Sequence, residues 1–118
     1  MAEHFRELDI FPCSYTLCQS QAEFDDWCAA QDWQDAGPYL VDNSPATTHR
    51  NARHFAVCVN LDHDVTLLQK IGLLIHEADH VTRHILHSVG EVEPGLETSA
   101  YLQQRVAQDL IYWAGLAE

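Results

Sequence analysis

Between Asp62 and Gly90 the apolar positions recur at intervals of three and four. At about 100° per residue, Leu67, Leu68, Ile71, Leu74, Ile75, Ala78, Val81, Ile85, Leu86 and Val89 share one arc. His76, Glu77, His80, His84 and His87 fall on the other side. The spacing predicts an amphipathic helix over about 64–90, one face buried and the other free to meet something else. Asp62 or Asp64 is the expected N-cap, and Gly90 the left-handed stop.

Two further helices follow from the same pattern. Pro94 sets the first turn of one over about 94–115, where Val106, Leu110, Ile111 and Trp113 make a wide apolar arc. Ala100, Ala107 and Ala114 recur every seven residues and leave a smooth strip for the 64–90 helix to pack against. Ser20 with Glu23 three residues on is a capping-box signature, so a helix is expected over about 21–34, ending before Gly37-Pro38. Trp27 and Trp33 read as core and rim packing.

Period-two or continuous apolar runs give the strands. Phe55–Leu61 is the strongest and is expected at the centre of a small sheet. Cys13–Cys18 and Thr47–His49 read as short strands, and Leu40-Val41 as a brief edge strand closed by the Asn43-Ser44-Pro45 turn. Residues 1–12 read as a loosely held arm. The sum is an α+β domain, three to four strands packed against helices. At 118 residues without an internal repeat, a single domain spanning 1–118 is expected.

Charge narrows the function. Eighteen acidic against six basic residues give a net charge of −12, which repels nucleic-acid phosphates and anionic membranes. No nucleic-acid or membrane partner is expected, and cationic peptides, other proteins or neutral small molecules are left. Met1–Asp9 lacks the basic start and apolar stretch of a signal peptide, so a cytoplasmic location is expected. Cys13, Cys18, Cys28 and Cys58 form no C-x-x-C pair and read as small buried hydrophobes.

The chemistry is concentrated in His76-Glu77-Ala78-Asp79-His80. On a helix, the two histidines lie one turn apart and their imidazoles reach one point in space, which is half of a tetrahedral zinc site. Glu77 sits where it can take a proton from water at an open metal position. A third ligand is needed. An extended motif would require glycine at 83 and histidine at 86, but the chain has Arg83 and Leu86. His84 and His87 lie further along the helix, carried away by its rise. Glu97, in the first turn of the last helix, is the strongest candidate, and Glu93 and Glu91 on the preceding loop compete with it. Tyr101, one turn after Glu97, is a candidate donor to an oxyanion, as are His84 and His87. Arg50 and Arg53 are either a substrate-carboxylate clamp or a hairpin tip.

His76-Glu77-Ala78-Asp79-His80 followed by Glu97-Thr98-Ser99-Ala100-Tyr101 resembles the paired HExxH and ExxA patterns of gluzincin-type zincin metallopeptidases. It is similar to short metallopeptidase-like proteins encoded by phages and prophages, over roughly residues 55–110. Asp79 departs from the pattern, being polar where such helices often carry an apolar residue. The resemblance implies a minimal zincin-like fold and zinc held by His76, His80 and Glu97. It also implies Glu77 as general base and a peptide or protein substrate, in the host cytoplasm if the gene is a phage's.

Overall fold

The computed structural model describes residues 4–8, 13–62, 65–90 and 95–117. Its sheet has four strands: β1 (Phe5–Glu7), β2 (Ser14–Cys18), β3 (Ala46–Asn51) and β4 (His54–Val59), in the order β1-β2-β4-β3. Among the described residues three α-helices accompany them, α1 (Gln21–Ala30), α2 (Leu67–Ser88) and α3 (Leu96–Trp113). The most apolar segment of the chain, β4, is an inner strand, parallel to β2 and antiparallel to β3. Every residue of β2 is buried as well, as a strand covered on both faces must be.

Strand alternation divides the core in two. Tyr15, Leu17, Phe55, Val57 and Val59 point to the side covered by α2 and α3, where Leu74, Ala78, Val81, Ile85, Leu102, Val106 and Leu110 meet them. Cys18, Ala56 and Cys58 point to the other side, against Phe24, Trp27 and Cys28 of α1. All four cysteines are free and buried, and Cys18 and Cys58 face each other in register on β2 and β4. Leu74, Ala78, Val81 and Ile85 are fully buried, each large one worth about 1.5–3 kcal/mol on burial. That row fixes the rotation of α2 about its axis and hence which side chains it turns outward.

Several boundaries differ from expectation for local reasons. The N-cap of α2 is Thr66, neither Asp62 nor the undescribed Asp64; Thr66 and Gln69 form a complete capping box. Only part of the α2 arc is covered, and Leu67, Leu68 and Ile75 remain exposed. Ser20 caps α1 as expected, but the helix stops at Ala30, short of 34. There Asp32 takes a left-handed φ of 53° and the Trp33 amide turns back to the Cys28 carbonyl at 2.9 Å. Trp33 still meets Trp27 edge-on, at 5.7 Å between centroids. Leu40-Val41 is no strand. Val41–Asn43 is a 3-10 turn, preceded by Tyr39, whose hydroxyl lies 2.8 Å from the Cys18 carbonyl and 2.7 Å from that of Val59.

The expected N-terminal arm contains a strand. Phe5–Glu7 pairs antiparallel with β2, held by an ion pair from Arg6 Nε to Asp109 Oδ2 of α3 at 2.5 Å. The buried Tyr15 hydroxyl donates to the same oxygen, also at 2.5 Å. Among the described residues no helix is long and apolar enough to cross a membrane.

Candidate metal centre

With its apolar row against the sheet, α2 presents His76 and His80 to solvent. Their Nε2 atoms are 3.2 Å apart and the rings lie nearly perpendicular, at 78°. Two imidazole nitrogens this close cannot both carry a proton; one N–H donates to the other, or both lone pairs meet a cation. Two nitrogens on zinc, each about 2.0–2.1 Å from the ion at the tetrahedral angle, are about 3.3 Å apart. The donor atoms therefore fit such an ion.

Glu77 departs from the helical-wheel reading, which put it with the exposed histidines. It is buried, with 5% of its surface exposed. The reason is β3, whose Ala46, Thr48 and Arg50 share one strand face, in register with Val59, Val57 and Phe55 on the side that faces α2. From there the Thr48 hydroxyl donates to Glu77 Oε1 at 2.9 Å. The other carboxylate oxygen, Oε2, lies 3.8 Å from His76 Nε2. One oxygen is thus tethered and the other turned to the histidines. A threonine 29 positions away gives no sign of this contact in the sequence.

His76, Glu77 and His80 form a group whose ligand-type atoms lie within 4.8 Å of one another, close enough to hold a metal ion. Glu97 stands outside that group, exposed in the first turn of α3. Tyr101, also on α3, is 68% exposed. Glu91 and Glu93 lie outside the described residues. Facing α2, α3 presents Leu96, Ser99, Ala100 and Gln103, with Gln103 Nε2 donating to the Ile75 carbonyl at 3.3 Å.

From Asp79, next to His80, the polar face of α2 continues through Arg83, His84 and His87. Asp79 and Arg83 pair across one turn at 2.8 Å. His84 stacks on Phe55 at 5.9 Å and 14°. Its pKa is lowered, first by burial and then by the charge of Arg50, with His80 and His87 adding to it. Arg50 belongs to β3, whereas Arg53 occupies the hairpin turn. No family model, curated protein or solved structure matches the chain.

Proposed function

We propose that the protein is a zinc-dependent metallohydrolase of the gluzincin type, acting as a peptidase or amidase. The observation that carries it is the pair of Nε2 atoms 3.2 Å apart on α2, beside a buried carboxylate aimed at them. His76 and His80 would hold the ion, and Glu97 would be the third ligand, reaching from the first turn of α3. The chemistry zinc supplies when bound is Lewis acidity, which brings the pKa of water to about 7 and polarises a carbonyl.

The chain's own residues supply the rest. Thr48 holds Oε1 of Glu77, so Oε2 is the oxygen positioned to accept the proton of the attacking water and return it to the leaving amine. Tyr101 is the proposed donor to the developing oxyanion. The edge of the sheet nearest the site is β3, where an extended peptide can add as a further strand.

Metal content of protein purified without added metal tests the first step. One equivalent of zinc is expected in the parent and none in a His76→Ala/His80→Ala variant. Glu77→Gln should keep the zinc and lose hydrolysis of a mixed peptide library. The position of Glu97 outside the histidine group favours one other reading, a zinc-binding or interaction domain that does not hydrolyse. Under it, the parent and Glu77→Gln proteins bind zinc alike and neither cleaves.

A further inference from the structure

A groove of about 820 Å³ runs along α2 from β3 to α3, starting within a turn of His80. That volume lies in the range of ligand sites, roughly 300–1,000 Å³. Its lining includes Arg50, Arg83, His84 and His87, and among the described residues Asp79 is the acidic one. The chain has three acidic residues for every basic one, so this concentration of cationic and imidazole groups runs against its composition.

The cations in the groove are not equivalent. Arg83 is engaged by Asp79 at 2.8 Å. Arg50 uses Nε in a 3.3 Å contact with the carbonyl of Ala52, which leaves its two terminal nitrogens for a partner. The His84 ring is held by its stack on Phe55 and lies close enough to Arg50 to feel its charge. Arg50 and His84 thus turn N–H donors into the groove, and among the described residues no carboxylate pairs with Arg50, so an anion there could accept from both.

We propose that this groove is a carboxylate subsite, in which Arg50 and His84 hold an acidic group of a peptide substrate two or three residues from the cleaved amide. The proposal rests on the metallohydrolase reading. The spacing follows from the helix: His84 and His87 lie about 6 and 10 Å beyond His80 along α2, and an extended peptide advances about 3.3 Å per residue. Two sources share this chemistry, a glutamate or aspartate side chain and a peptide C-terminus.

Three acetylated pentapeptides separate them, each with alanine at every position but the third. One has a central glutamate and an amidated end, one a central glutamine and an amidated end, and one a central glutamine and a free C-terminus. Binding to the full chain as Glu77→Gln, with and without zinc, is read by calorimetry and by the arginine and histidine side-chain NMR signals. At least one carboxylate peptide should bind about tenfold or more tightly than the neutral peptide and should shift the Arg50 and His84 signals. Arg50→Gln and His84→Gln should each reduce that preference, with Arg50→Lys retaining part of it. Equal affinity for all three peptides, no binding by either carboxylate peptide, or a preference unchanged in Arg50→Gln overturns the subsite. The two ideas fail separately. A parent chain that cleaves peptides but binds the three alike loses only the subsite; one that holds no zinc and cleaves nothing, yet keeps the preference, loses only the hydrolase.

Discussion

Replacing Thr48 by Val removes one hydroxyl while keeping the branched shape that suits a strand. The lost bond is a 2.9 Å contact to a carboxylate whose side chain is 6% exposed, so water is poorly placed to substitute. A hydrogen bond to a charged group is worth about 1.5–3 kcal/mol, and an acceptor left buried and unpaired incurs its desolvation cost. Thr48→Val should therefore destabilise the fold by about 2 kcal/mol, or about 8 °C in Tm for a chain of this length. Urea unfolding of metal-free protein at neutral pH measures it, with an unchanged m-value expected. A cycle with Glu77→Met isolates the pair, since removing both partners is far cheaper than removing one; the coupling should be about 1.5–2 kcal/mol. Activity, where measured, should fall in Thr48→Val and recover in Thr48→Ser. A coupling below about 0.3 kcal/mol would refute the tether between β3 and Glu77.

Zinc at about 100 times its Kd should stabilise the protein by about 2.7 kcal/mol, about 11 °C in Tm, and should leave His76→Ala/His80→Ala unmoved in a thermal scan. Asp109→Ala should cost about 2–4 kcal/mol in urea unfolding, because it strips both Arg6 and the fully buried Tyr15 of their shared acceptor. The lowered pKa of His84 makes metal-free protein less stable in acid. The unfolded chain takes up its proton first as pH falls through the ordinary histidine value of 6.5, so stability starts to drop there and its loss is complete below the folded value. His84→Gln should show a smaller fall in urea midpoint between pH 7.5 and 5.5 than the parent does.

What the sequence discloses here depends on the range of the interaction. The α2 pattern is strong over six turns, and once its apolar row is known the two histidines must share a face, so their juxtaposition was legible. So was β4, from its unbroken apolar run, and the Ser20 cap of α1. The Thr66–Gln69 capping box is equally local, but Asp62 and Asp64 beside it carry the same N-cap signal in the sequence. Strand β1 was not legible, because three residues carry no period and their anchor, Asp109, is 103 positions from Arg6. The burial of Glu77 was hidden for a similar reason: a helical wheel shows which way a side chain points and not what stands opposite. Arg50, by sequence either a carboxylate clamp or a hairpin tip, lies inside β3 and turns toward α2 because of a register that only strand pairing reveals.

The four buried thiols make the protein its own reporter of opening. Burial raises the pKa of Cys28 and Cys58, which keeps them protonated and unreactive while the layers stay closed. Cys13 belongs to the core under α2 and α3, whereas Cys18, Cys28 and Cys58 line the α1 side. Alkylation rates followed cysteine by cysteine would thus time the parting of each half of the molecule separately, with no label added. They would show whether the helix bearing His76 and His80 lifts from the sheet on its own or only when the whole chain unfolds.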